Sequence, residues 1–153
     1  MTDDTANTDA VSESRAEHVM IRRTVDAPRE RVWRAFTDPD EVRWWYGSDM
    51  MDVEIHALEA EPGGSFSITM RDGEDDYDME GEFLEVIERE RLVHTWYVGR
   101  VTVAFDEVGE GTEVVLTHEG LPDRETTEQH AEGWTAAIET LAAIVRNDED
   151  RER

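Results

Sequence analysis

Cysteine and lysine are both absent from the 153 residues. Without cysteine there can be no disulfide scaffold, cysteine nucleophile or thiolate metal site. Without lysine, arginine carries all 15 basic charges against 39 acids, and the formal net charge is -24. No run of 18 apolar residues exists to cross a bilayer as a helix, and residues 1–17 lack the basic start and apolar middle of a signal peptide. A soluble cytoplasmic protein is the expectation, as one domain able to bury roughly two thirds of its unfolded surface. Nothing in the composition calls for a cofactor.

The position of the acids matters more than their number. Residues 1–17 hold five acids and one Arg, and residues 148–153 hold four acids and two Arg, which leaves -18 on the segment between them. A field of that sign repels phosphate backbones and anionic membrane surfaces, so no nucleic-acid partner and no membrane insertion are expected. Self-repulsion at this density is relieved when salt shortens the Debye length to about 3 Å at 1 M ionic strength. Together with the missing lysine, it reads as adaptation to a salt-rich cytoplasm. The two ends, polar and poor in large apolar residues, read as disordered acidic or charged tails at 1–17 and 148–153, flanking one domain at 18–147.

Within the domain, apolar residues recur with two distinct periods. Val19, Ile21 and Val25 predict a first strand. Pro28 as a first-turn proline, with Val32, Trp33 and Phe36 behind it, predicts a short helix. Asp38, Pro39 and Glu41 then have the order of an acidic cap, a helix-starting proline and a capping-box Glu, with Val42, Trp45 and Tyr46 as the buried side of a second helix. After Gly47 the alternation is all strand: Val53 to Ala57, Phe66 to Met70, Tyr77 to Val86 with a bulge at Leu84, Leu92 to Val98, Val101 to Phe105 and Thr112 to His118. Trp134, Ala137, Ile138, Leu141, Ile144 and Val145 form the stripe of a long last helix that starts between Asp123 and Glu128 and is expected to end near Asn147. One strand, two short helices, six antiparallel strands and a long helix predict an α+β fold, a curved sheet wrapped around the C-terminal helix.

Catalytic constellations are scarce. Of five serines, Ser12 and Ser14 fall in the tail, and Ser65 and Ser67 alternate outward. Only Ser48 remains in a loop, and no strained strand-to-helix turn presents it as a nucleophile. The five histidines contain no His-Glu-x-x-His pattern and no pair spaced for a shared metal. Asp72, Glu74, Asp76 and Asp78 alternate as calcium ligands do, but Gly73 comes four positions too early for an EF-hand turn. His94, His118 and His130 all fall on predicted inward faces. They are candidates to orient the polar group of an apolar ligand, or to serve as acid or base on it, with backbone-bonded core histidines as the alternative.

Ala27 and Pro28 followed by Val32 and Trp33, then Thr37 to Pro39, Trp44 with Trp45, Pro62 to Gly64, Gly81, Leu92 with Trp96, Gly111 with Thr112, His118 with Gly120 and Leu121, and Gly133 with Trp134 resemble a known family in order and spacing. It is the activator-of-Hsp90-ATPase-homologue-1-like branch of the START-related (SRPBCC) superfamily, and the resemblance covers residues 18–146. It implies the helix-grip fold, of the START-like and Bet v 1-like type, with a cavity between sheet and last helix that the superfamily uses for apolar molecules. On that fold the ligand-binding candidates are Trp45, Phe66, Ile68, Met79, His94, Trp96, Phe105, Leu116, His118, Trp134, Ile138 and Leu141. The chain departs from the family pattern at Glu61, where members often carry Arg, and at His94, where they often carry an apolar aromatic. The second departure makes the cavity more polar.

Three functions remain in view. Binding of an apolar or lipid-like small molecule leads, because the sequence supplies an apolar enclosure and no evident catalytic set. A cyclase or dehydratase-like enzyme acting on a polyketide-like substrate would use one of His94, His118 or His130 to move a proton. An Hsp90-type chaperone partnership is implied by the family name, but the stretch ahead of the first strand is too short for the further domain that such co-chaperones carry.

Overall fold

The strand and helix periods resolve into a single sheet with helices on its inner face. The computed structural model describes residues 11–15, 18–46, 52–95 and 99–152, with side chains described between 18 and 146. The elements are β1 (Val11–Arg15), β2 (His18–Val25), α1 (Arg29–Thr37), α2 (Pro39–Trp45), β3 (Asp52–Leu58), β4 (Ser65–Arg71), β5 (Asp76–Ile87), β6 (Arg91–Thr95), β7 (Arg100–Val108), β8 (Gly111–Glu119) and α3 (Arg124–Glu152). The eight strands are ordered β1-β2-β8-β7-β6-β5-β4-β3, with every pairing antiparallel. From β3 to β8 each strand pairs with its neighbour in sequence. The sheet is then completed by β2, which returns to β8.

Alternation places Val19, Ile21, Phe66, Ile68, Phe83, Leu92, Val101, Val103, Phe105, Val114 and Leu116 in the core. A register shift between Phe83 and Glu85 interrupts β5, so the bulge expected at Leu84 is present. It leaves Leu84 exposed. The Val108↔Gly111 pair closes the β7–β8 hairpin around Gly109 and Glu110, with Gly109 at φ 60°. Helix α3 lies mainly on β2 and touches α1 and α2, burying Ala137, Ile138, Leu141, Ala142 and Val145. Its first turn is fixed by Asp123, whose carboxylate accepts the Thr126 N–H at 2.8 Å.

Three expectations change. Residues 11–15 are not part of a tail without structure: they form β1, paired with β2 from Val11↔Arg22 to Arg15↔His18. The open edge of β2 offers a row of backbone groups to pair with, which average polarity does not register. Helix α3 also continues through Asn147 to Glu152, because neither glycine nor proline follows to stop it.

The third change concerns the junction of α1 and α2. Pro28 is the N-cap of α1 rather than its first residue, and Asp38 caps α2 by accepting the Asp40 N–H at 2.9 Å. Glu41 closes no capping box. The Asp38 N–H is bonded to Arg34 O at 2.9 Å, and the Glu41 carboxylate instead accepts from Arg31 Nη1 at 2.6 Å and Arg34 Nε at 2.8 Å. Arg31 is only 6% exposed, so a partly desolvated ion pair ties α2 back onto α1. Trp45 adds a second tie, donating its indole N–H to Ala35 O at 2.8 Å.

Candidate ligand-binding site

The helices do not seal completely onto the sheet. A cavity of about 10 Å³, the scale of one water, is lined by Phe66 of β4, Phe83 of β5, Leu92 and His94 of β6, Val101 and Val103 of β7, and Leu116 of β8. Phe36 of α1, Val42 of α2, Tyr46 and Trp134 of α3 complete it. Its walls are rings set mostly edge to face: Phe66 and Phe83 at 5.9 Å, and Tyr46 and Trp134 at 5.7 Å. Two larger hollows, about 390 Å³ beside Asp26–Arg29 and about 350 Å³ on the outer sheet face, are wide open. Arg29–Glu107 ion-pairs along the first, and Arg91–Glu85 and Arg100–Glu119 along the second.

Turn chemistry aims the walls. The Pro62–Gly64 turn is bonded both ways to Phe83, through Gly63 N–H to Phe83 O at 2.8 Å and Phe83 N–H to Gly64 O at 2.9 Å. Gly81 on β5 permits the approach of β6, since a Cβ there would stand 2.4 Å from the Thr95 carbonyl oxygen. That oxygen accepts from His94 Nδ1 at 2.7 Å. Because a carbonyl only accepts, Nδ1 carries the hydrogen, and in the neutral ring the Nε2 lone pair is the acceptor.

His94 is 4% exposed, stacked on Phe66 at 4.6 Å and edge-on to Phe83 at 5.5 Å. Desolvation among these rings lowers its pKa to about 4, opposed in part by the Thr95 carbonyl, so the imidazole is neutral at pH 7. Burial likewise raises the Tyr46 phenol far above its usual range. His94 and Tyr46 therefore both bring neutral polar groups to an otherwise apolar wall.

His118 and His130 stand behind Trp134. His118 is fully buried on β8 and its Nδ1 accepts the Trp134 indole N–H at 3.1 Å. His130 lies edge-on to it at 5.1 Å, with Nδ1 bonded to Thr126 O at 2.9 Å. His118 is thus bonded within the core, whereas the half-buried His130 is bonded to its own helix.

Of the residues expected around a cavity, Phe66, His94, Leu116 and Trp134 surround this one. Trp45 packs between Phe36 and Tyr46, and Phe105 against Trp33 and Phe36 behind α1. Ile68, Ile138 and Leu141 are core, Met79 is partly buried at its edge, and Trp96 lies outside the described residues, as does Ser48. Phe36, Val42, Tyr46, Phe83, Leu92, Val101 and Val103 also line it without being singled out by the sequence, although the helical stripe of the first three and the inward alternation of the others are readable there. Elsewhere, Asp72 is engaged in a turn: it accepts from Glu74 N–H at 2.9 Å, Asp75 N–H at 2.8 Å and Tyr77 O–H at 3.1 Å, which together lower its pKa. No His, Asp and Glu cluster able to hold a metal occurs among the described residues, nor a helix long and apolar enough to cross a membrane.

A curved antiparallel sheet holding a long C-terminal helix, with two short helices over an aromatic-walled space, defines the helix-grip class of α+β domains. The family model described as activator of Hsp90 ATPase homolog 1-like protein matches residues 26–146. The chain belongs to this family. A crystal structure of a Chromobacterium violaceum protein superposes with a TM-score of 0.79 at 26% identity, covering 84% of this chain and 97% of that one. The solution structure of the AHSA1-like protein from Aeromonas hydrophila has a TM-score of 0.73 at 25% identity, covering 85% and 94%. A Mycobacterium smegmatis protein shares the fold at 19% identity, with a TM-score of 0.79 over 92% and 98%. Among curated proteins, none matches.

Proposed function

We propose that the protein binds a small, neutral, mainly apolar molecule between β4–β8 and the helices. The observation carrying this reading is His94, a polar side chain set among Phe66, Phe83 and Leu116 at the cavity. With Nδ1 given to Thr95, the Nε2 lone pair accepts, so a guest hydroxyl or N–H suits the site better than a carboxylate. The acidic exterior acts in the same direction by repelling anions.

A guest larger than water must displace the rings, because ligand pockets commonly span about 300–1,000 Å³. Tyr46 and Trp134, supplied by the helical side, are the walls placed to move. The test is titration with neutral ring compounds, sterols, flavonoids and polyketide-like molecules, in molar KCl, followed by tryptophan fluorescence. Saturable binding that Leu116→Trp abolishes, in a variant that still melts cooperatively, is expected. Absence of saturable binding across the set overturns the reading. The cyclase or dehydratase-like and co-chaperone alternatives have no comparable observation in their favour.

A further inference from the structure

We propose that the outer face of the sheet between β5 and β2 binds a second copy of the chain, and that the pair forms once salt screens the rest of the molecule. Val101, Val103 and Leu116 line the cavity, so the residues alternating with them face away from it, and the inference is independent of the ligand-binding reading. Register divides the outward residues into two regions of different charge. On β3–β5 they include Asp52, Glu54, Asp76, Asp78, Glu80 and Glu82, six acids against the one arginine, Arg71. From β5 to β2 the outward charges come instead as cross-strand pairs: Arg91 with Glu85 at 2.7 Å, Arg100 with Glu119 at 3.5 Å and Arg22 with Glu113 at 3.6 Å. Asp106 adds one acid at the rim. In a chain of net charge -24, a second copy approaching this belt meets almost no net repulsion.

Between its ion pairs the belt is apolar or small. Val93, Thr102 and Thr117 share one rung and floor the hollow of about 350 Å³; Ala104 and Val115 share the next. The bulge in β5 turns Leu84 outward at 47% exposure, with Ile87 at 41% on the same margin. Met20 of β2, paired with Thr117, marks the opposite margin. The order β5-β6-β7-β8-β2 is symmetric about β7. A two-fold axis beside β7 and parallel to it therefore lays β5 of one copy over β2 of the other, with the small Thr102 and Ala104 at the centre. Leu84 and Ile87 then meet Met20 at both margins. The same rotation brings Arg22 within one rung of Glu85 of the other copy, and Glu113 within one rung of its Arg91, so the belt is complementary to itself. Arg100 faces its own symmetry mate and keeps Glu119 as partner. Four strand spacings of about 4.8 Å and five residues of about 3.4 Å give a footprint of about 19 by 17 Å. That is below what obligate dimers bury, so the pair is weak and reversible, with a dissociation constant of about 10–100 μM.

The test is sedimentation velocity on the full-length protein, from about 5 μM to about 0.5 mM, in about 0.1 M and about 2 M KCl. A monomer–dimer equilibrium is expected at high salt, and one about tenfold weaker or more at low salt, because screening removes the repulsion between the two acidic chains. Ala104→Glu sets two like charges beside the axis, and Leu84→Asp replaces the bulged apolar contact. Each is expected to weaken the dimer about tenfold or more while the thermal transition stays cooperative. Glu80→Gln, on the acidic side of the sheet, should change it by less than about threefold. In 15N NMR spectra followed on dilution at high salt, amides of β6, β7 and β8 are expected to shift and those of β3 and β4 to stay. A monomer across the whole range overturns the proposal, including one whose belt holds some other protein instead. So does a dimer that Ala104→Glu and Leu84→Asp leave intact, one that responds to Glu80→Gln in their place, or one that tightens as salt is lowered. Should Ala104→Glu fail to fold, Leu84→Asp, a change at an exposed bulge, decides it.

Discussion

Replacing His94 by phenylalanine should make the protein more resistant to acid than the wild type. In the unfolded chain the imidazole titrates near 6.5, whereas in the folded protein desolvation between Phe66 and Phe83 lowers it to about 4. Between these values the unfolded state takes up a proton that the native state refuses. Stability from this group is therefore complete above about pH 6.5 and is lost as pH falls towards about 4, below which it costs nothing further. Integrated from pH 7.5 to 4.5, the loss is about 2.5 kcal/mol. In a domain of this size that is roughly 8 °C in Tm. His94→Phe abolishes the linkage and gives up the bond to Thr95 O, worth about 1 kcal/mol net. The carboxylates titrate in both proteins, so the quantity to follow is the difference in unfolding free energy between wild type and variant, from urea melts in molar KCl at several pH values. The variant should be within about 1 kcal/mol of wild type at pH 7.5 and gain about 2.5 kcal/mol on it by pH 4.5. Parallel pH profiles would refute the reasoning, since His94 would then titrate alike in both states.

Because -18 lies between residues 18 and 147, thermal stability should rise steeply from low salt to molar KCl as screening removes repulsion in the native state. A Tm flat across that range would remove the salt-adaptation reading. At the α1–α2 junction, Glu41→Ala takes away the carboxylate that receives both Arg31 and Arg34, and a loss of about 3 kcal/mol in chemical denaturation is expected. Arg31 being buried makes the difference. A loss near that of an exposed pair, about 0.5 kcal/mol, would mean that the cluster is not a tie between the helices.

Much of the architecture was legible because alternation and helical stripes record burial directly. Val101, Val103 and Phe105, or Ile138, Leu141 and Val145, could hardly satisfy any other arrangement. What escaped was governed by contacts rather than by composition. β1 exists through the backbone pairing offered by the edge of β2, and Glu41 was drawn off its capping position by two arginines one helix earlier. The candidate site was legible only in part for a related reason. Inward alternation identifies Leu116 and Phe105 equally, yet Leu116 faces the cavity while Phe105 is covered by Trp33 and Phe36. Which inward residues meet open space depends on where α1 and α2 come to rest, and that is set by their mutual ties rather than by strand periodicity. His118 and His94 looked alike in sequence; the partner of each Nδ1, an indole N–H in one and a carbonyl in the other, separates them.

The return of β2 to β8 has a kinetic meaning. From β3 to β8 every pairing joins consecutive strands, so that part of the sheet can assemble by successive hairpins. Val25 pairs with Thr112 across 87 positions of chain. Closing such a loop costs about 2.7 kcal/mol more entropy than closing a four-residue turn. The six-stranded meander is thus the part with an early route to structure, and β2, with α3 resting on it, is the part that must wait. During that interval β8 is an open sheet edge, and its unpaired backbone groups stay open to pairing with another chain until β2 covers them.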